Sequence, residues 1–185
     1  MIAMRNDLHR ADARSPLVLD THELRRRAGE RKVIRREVPA PAELGIDLIG
    51  VAEGSPVDLD LNLESVVEGI LVTGTAAATL TGQCSRCLTD LALDQVFDIS
   101  ELYYYEGRDA EEDANRVEND AIDLDPALRD AVVLDLPFSP LCRDDCAGLC
   151  PVCGANLNDD PSHSHDEPMD PRWEKLAGLA GTDNE

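Results

Sequence analysis

Eight side chains suited to binding metal stand in four short clusters, and these clusters restrict the folding options of the chain more than any other feature. Cys84 and Cys87 are separated by two residues, Cys142 and Cys146 by three, Cys150 and Cys153 by two, and His163 and His165 by one. A Cys-x2-Cys spacing lets two thiolates reach one ion from a tight turn whose backbone amides stabilise their charge. Cys150-Pro151-Val152-Cys153-Gly154 has the proline and glycine of such a knuckle, and Gly154 can take the positive φ that turns a chain around a metal. Eight thiol and imidazole ligands are the number that two tetrahedral zinc sites require.

The redox setting bears on this reading. The segment Met1 to Asp7 lacks a continuous apolar run, and the most apolar stretch, Gly69 to Gly82, is interrupted by Thr and Gly. The expectation is a cytoplasmic protein, not bound to a membrane, in which thiols stay reduced. Disulfides and unrelated buried thiols then fit three spaced clusters poorly, and structural zinc fits them well. A redox switch built on zinc thiolates is the alternative. The two histidines lie in a polar loop, where imidazoles can also be plain surface. The favoured sharing joins Cys84 and Cys87 to Cys142 and Cys146, and Cys150 and Cys153 to His163 and His165, because no thiol pair is left idle. A zinc ribbon joining Cys84 and Cys87 to Cys150 and Cys153 is the other arrangement.

Upstream of the later clusters the pattern is that of strands. Val57, Leu59, Leu61 and Leu63 alternate with Asp58, Asp60, Asn62 and Glu64, the period of a half-buried strand. Ile70, Val72, Ala76, Ala78 and Leu80 predict a second strand, and Leu91, Leu93, Phe97 and Ile99 a third that runs towards Tyr103-Tyr104-Tyr105. Neighbouring strands of this kind most simply form an antiparallel meander. Cys84-Ser85-Arg86-Cys87 then falls at the turn between the second and third. Pro16 to Leu19 and Val33 to Val38 predict two more strands, and Asp20 with Glu23 a short capped helix ending at Gly29. Pro126 predicts a helix capped by Asp125 and ending before Pro137, and Asp170-Pro171 opens a last amphipathic helix with Trp173, Leu176 and Leu179. The fold class expected is α+β: an antiparallel β-meander core, a few short helices and a C-terminal zinc-knuckle segment. In domain terms, residues 1–14 form a flexible N-terminus and residues 15–185 a single domain. That domain includes an acidic, mobile loop at 106–120 and the zinc-knuckle region at 140–166.

Charge separates the ends of the chain. Residues 1–40 hold ten Arg and Lys against six acids, for +4, whereas the remainder carries −25. An acidic body does not seek bare phosphate, because phosphate binding needs clustered cations. Basic protein partners suit it better, and the Arg-rich first segment, Arg25-Arg26-Arg27 in particular, is the candidate contact for RNA.

Several strings together resemble the YceD family, the large ribosomal RNA subunit accumulation proteins. They are Cys84-Ser85-Arg86-Cys87-Leu88, Ile122-Asp123-Leu124, Pro140-Leu141-Cys142, the run from Cys146 through Gly148-Leu149-Cys150-Pro151 to Asn156-Leu157-Asn158, and Asp170-Pro171-Arg172-Trp173. The likeness spans nearly the whole chain and is closest to the longer, high-GC Gram-positive type. In similar sequences a Cys-x-Cys pair often follows Asn-Leu-Asn, and here His163-Ser164-His165 stands in its place. Imidazole can replace thiolate at zinc, so the departure is compatible with retained binding. The resemblance implies a role in ribosomal RNA synthesis or processing and in large-subunit biogenesis. Its members are often encoded beside a large-subunit ribosomal protein. The partner it suggests is a basic ribosomal protein or a large-subunit precursor.

Enzyme classes find little support in the residues. A metallohydrolase needs an open zinc position and a nearby base, and no His-Glu-x-x-His occurs. There is no phosphate-cradling Gly loop and no nucleophile elbow. The reading is a non-enzymatic binding module. A zinc-thiolate redox-regulated chaperone or general interaction module is the alternative.

Overall fold

A computed structural model describes residues 15–24, 27–108, 111 and 114–165. Its centre is strand β6 (Gly69–Gln83), hydrogen-bonded along its whole length to the antiparallel β7 (Asp90–Tyr104) from Gly69↔Tyr104 to Gln83↔Asp90. The other edge of β6 is shared. β5 (Pro56–Ser65) pairs with residues 70–78 and β4 (Ile49–Val51) with residues 80–82. Outside β5 lies β2 (Arg31–Pro39), and outside β4 lies β3 (Leu44–Ile46). The meander expected from the three alternating runs is therefore β5-β6-β7, widened to six strands. A second, two-stranded sheet joins β1 (Val18–Asp20) to β8 (Ala121–Asp123).

Alternation decides which face is covered. Leu59, Leu61 and Leu63 on β5, Ile70 and Val72 on β6, and Phe97 and Ile99 on β7 are buried together. Burying a side chain of this size stabilises the fold by roughly 1.5–3 kcal/mol, so this layer dominates cohesion. Helix α1 (Asp125–Asp135) covers it with Leu128 and Val132. Among the described residues α1 is the one α-helix, and the molecule is α+β. Tyr103 is buried and its hydroxyl donates to the Asp123 carbonyl at 2.9 Å, which links the large sheet to β8.

Of the three helices expected, the one at Asp125 forms, the one at Asp20 is replaced by turns and the one at Asp170 falls outside the described residues. The cap at Asp20 forms, since its Oδ1 accepts from the His22 N–H at 2.9 Å, but among the described residues 21–24 and 27–30 make turns and bends and none is helical. Glu23 pairs with Lys32 instead of answering the cap, and the Gly29 N–H is taken by the Ser65 carbonyl. Strand β5 thus captures the backbone that a helix would have used. Arg25 and Arg26 lie outside the described residues, as does the helix expected at Asp170. Helix α1 begins one residue earlier than expected. Leu124 is its N-cap, and Asp125 binds Arg129 at 2.9 Å rather than capping.

The second half of the acidic loop is tied down. The Tyr104 N–H donates to the Asn115 carbonyl and the Val117 N–H to the Tyr104 carbonyl. Glu118 and Ala121 exchange both backbone hydrogen bonds across Asn119 and Asp120, whose φ values are both positive (51° and 58°). That is the two-residue turn favoured in tight hairpins, and Asn and Asp tolerate it better than most residues.

Candidate metal centres

The loop between β6 and β7 is a knuckle. The Cys84 N–H donates to the Thr89 carbonyl at 2.9 Å, and the Leu88 N–H returns to the Cys84 carbonyl at 2.9 Å. The same two bonds recur at the next knuckle: Cys150 N–H to Ala155 carbonyl and Gly154 N–H to Cys150 carbonyl, each 2.8 Å. In both turns the residue after the second cysteine has a positive φ, 58° at Leu88 and 76° at Gly154. Glycine adopts this conformation freely and leucine at a cost.

The segment that follows α1 docks on the first knuckle through polar contacts. The Ser85 N–H donates to the Pro140 carbonyl at 2.8 Å, and the Leu149 N–H to the Arg86 carbonyl at 3.1 Å. The Arg86 guanidinium donates to the Cys146 carbonyl at 3.0 Å. Gly148 sits where a Cβ would meet the Arg86 carbonyl oxygen at 3.2 Å, so the close approach favours a glycine there. Leu91, Leu141 and Leu149 pack around Cys84, Cys87 and Cys146.

This docking gathers the eight ligands into two groups, Cys84, Cys87, Cys142 and Cys146, and Cys150, Cys153, His163 and His165. Within each group the ligand atoms lie within 4.8 Å of one another. Both groups could hold a metal ion. The division is the favoured one, and the ribbon joining Cys84 and Cys87 to Cys150 and Cys153 is not formed.

The distances fit a tetrahedral ion. Cys84 Sγ lies 3.8 Å from Cys146 Sγ, and Cys87 Sγ lies 3.6 Å from Cys142 Sγ. A zinc–sulfur bond of about 2.3 Å gives a tetrahedral edge of about 3.8 Å. Both separations greatly exceed a disulfide bond, and all six cysteines are free. In the second group Cys153 Sγ is 3.2 Å from both His163 Nε2 and His165 Nε2, and the two nitrogens are 2.9 Å apart. These edges are a few tenths of an ångström shorter than zinc bonds to nitrogen and sulfur would set. In the first group Cys84, Cys87 and Cys146 are buried and Cys142 is exposed. In the second, Cys153 and His165 are exposed.

The first cysteine of each knuckle is prepared as a thiolate. Burial would raise Cys84, but the backbone amides of Cys87, Arg86 and Cys142, with the Cys87 side chain, outweigh it and hold the thiol at about 6. Backbone amides of Cys153 and Val152 lower Cys150 to about 6 against the opposing effect of burial. The Thr89 hydroxyl and amide lower Cys87. Cys142 is pushed up to about 12, first by burial and then by the thiols of Cys87, Cys146 and Cys84. Ionising all four sulfurs this close would set like charges against one another, and a divalent cation among them would relieve that repulsion.

A family model described as "Large ribosomal RNA subunit accumulation protein YceD" matches residues 72–180, a span that includes all eight candidate ligands. The chain belongs to the YceD family. It is similar to an uncharacterized protein of Mycobacterium tuberculosis, 42% identical over 176 residues that cover 92% of this chain and 84% of the relative. An uncharacterized protein of Mycobacterium leprae is 40% identical over 178 residues, covering 91% of this chain and 80% of that one. A more distant relative is the Arabidopsis thaliana "Large ribosomal RNA subunit accumulation protein YCED homolog 1, chloroplastic". It is 24% identical over 144 residues, which cover 60% of this chain and 44% of the plant protein. No solved structure matches the chain.

The YceD strings include residues whose work spacing alone does not reveal. Arg86, inside the first knuckle, reaches Cys146, and Asn156 and Asn158 brace the loop between the two groups. Asp160 holds Ser162 through its carboxylate and the His163 N–H through its carbonyl, which orients the approach to the second group. Among the described residues no helix is long and apolar enough to cross a membrane.

Proposed function

We propose that the chain is a cytoplasmic ribosome-biogenesis factor that supports accumulation of large-subunit ribosomal RNA, and that two structural zinc ions hold its C-terminal segment on the sheet. Cys84, Cys87, Cys142 and Cys146 would hold one ion, and Cys150, Cys153, His163 and His165 the other. The observation that carries this reading is the closure of both ligand groups. Each has four side chains, the full tetrahedral complement, so no position is left for a substrate or an activated water. Such a site fixes architecture and does not catalyse. The process comes from the family description and from the name of the plant relative.

The partner we favour is a basic ribosomal protein or a large-subunit precursor that presents one. Support comes from the −25 carried by residues after 40. The sheet register also sets exposed Asp98 beside Thr75 on the face opposite the core, whereas Asp60 on the other side of Thr75 is taken by Arg35. The basic first segment is partly spent within the chain: Arg31 pairs with Glu64, Lys32 with Glu23 and Arg35 with Asp60. Contact with ribosomal RNA would fall to the arginines before β2.

Native mass spectrometry of the purified protein tests the metal assignment. Two zinc ions per chain are expected, with one lost at saturating zinc when His163 and His165 are both replaced by alanine. Retention of two ions after that change would remove the histidines from the site.

A further inference from the structure

Asn158 lies between the two ligand groups and belongs to neither. Its Oδ1 accepts from the Ala147 N–H at 2.9 Å and from Arg143 Nη2 at 2.7 Å. Its Nδ2 donates to Asn156 Oδ1 at 2.8 Å and to Cys146 Sγ at 3.4 Å. Two donors and two acceptors are the full capacity of a carboxamide, and all four are used. The orientation is therefore fixed. A flipped amide would aim its NH2 at two donors, Ala147 N–H and Arg143, and would leave the Cys146 sulfur facing a carbonyl oxygen.

The backbone around Asn158 is governed by the second group. Asn158 stands midway between Cys153 and His163, whose ligand atoms are 3.2 Å apart and close the loop that carries it. The Leu157 N–H donates to the Gly148 carbonyl at 2.9 Å, and Asn156 Oδ1 accepts the Asn158 N–H at 3.1 Å. Closing a loop restricts the backbone in between, so an ion at the second group would hold Asn158 against a ligand of the first. Hydrogen bonds to ligating atoms tune affinity, and their loss typically costs about 10–100-fold.

We propose that Asn158 is a positioning residue that couples the two metal centres, so that filling the Cys150, Cys153, His163 and His165 group tightens the all-cysteine group through the Asn158 amide and Cys146 Sγ. This rests on the reading that both groups hold metal. By reciprocity, metal at the first group tightens the second by the same factor.

The test is cobalt(II) titration of the full chain, followed by native mass spectrometry and by sulfur-to-cobalt charge-transfer absorption, which is stronger for four thiolates than for two. In the unchanged chain, species with no ion and with two ions should dominate at half-saturation. Asn158→Leu removes all four bonds. Asn158→Asp keeps the acceptors for Ala147 and Arg143 and removes the two donated bonds, to Cys146 Sγ and to Asn156 Oδ1, so it remains informative if the leucine variant misfolds. In both, one-ion species should accumulate, and the four-thiolate band should require about 10–100-fold more free metal. His163→Ala should weaken the first centre in the unchanged chain but add little to either Asn158 variant. Additive effects, or a four-thiolate centre in both variants that fills as in the unchanged chain, would overturn the coupling and leave two independent centres. Failure of the unchanged chain to bind any metal would instead remove the reading on which the coupling rests.

Discussion

Leu88 and Gly154 occupy the same position in two copies of one turn, and they test what backbone conformation alone contributes. Nothing lies within 4 Å of a Cβ built on Gly154, and Leu88 is exposed. Gly154→Ala should therefore lower stability by about 1 kcal/mol, the usual cost of the left-handed region for a residue with a side chain. Leu88→Gly should relieve similar strain, offset by added freedom in the unfolded chain, and change stability by less than about 1 kcal/mol. Denaturant midpoints of the zinc-loaded proteins check both, and a clear loss in Leu88→Gly would mean that the leucine packs on something. Tyr103 offers a second test. Burial, with the Glu101 and Asp123 charges, raises its hydroxyl well above the ordinary tyrosine value, so the folded state holds this proton more tightly than the unfolded one. That contribution is intact below about pH 10, the ordinary tyrosine value, and fades as pH rises above it. Tyr103→Phe should cost about 1–2 kcal/mol at neutral pH by orphaning the Asp123 carbonyl. It should also flatten the alkaline fall in stability, and an unchanged alkaline limb would show that other groups cause it.

Among the elements, the metal-bearing turn between β6 and β7 separates what the sheet needs from what the C-terminal segment needs. The sheet buries its own face, whereas residues 140–158 are held by three contacts to Ser85 and Arg86, three leucines and the ligand groups. Cys87→Ser, or chelation, should raise the rate of proteolysis within 140–160 about tenfold or more and leave the β signal in circular dichroism intact, since metal binding energy is folding energy for this segment alone. Unchanged cleavage in the zinc-free protein would mean that the hydrogen bonds suffice. The same division explains what could be read from the residues. β5, β6 and β7 were legible because apolar and polar side chains alternate over many positions. β3 and β4 were not: Leu44-Gly45-Ile46 and Ile49-Gly50-Val51 are too short for a period, and their pairing depends on the far end of β6. The Asp20 helix was read from a cap that does form, but tertiary pairing to Ser65 overrode it. The favoured ligand division is the one the fold brings together, but four pairs can be joined two by two in three ways that each use every pair, and the docking of 140–158 on the first knuckle selects among them. The role of Asn158 was not, because a hydrogen bond to sulfur leaves no spacing signature.

At the scale of the whole molecule the problem is how a strongly acidic protein serves a ribosome built on polyanionic RNA. Its net charge of −21 disfavours contact between the acidic body and phosphate, and the basic partner proposed above would bridge that repulsion. A basic ribosomal protein meets that need, and shielding such a protein before it reaches RNA would favour large-subunit assembly. Attraction of this kind is fast and is screened over about 10 Å at 0.1 M salt. Capture of the partner should therefore weaken steeply between low and physiological salt, and should survive digestion of RNA. An RNA-mediated contact through the first segment would instead be lost on digestion. In cells depleted of the protein, the ratio of large- to small-subunit ribosomal RNA should fall, with fewer free large subunits and an unchanged small-subunit peak. Replacing the chain with the Cys87→Ser form should reproduce that fall if the docked C-terminal segment is needed for the role. A normal ratio and normal subunit profiles after depletion would rule out the ribosomal role, while the two ligand groups would still organise the fold.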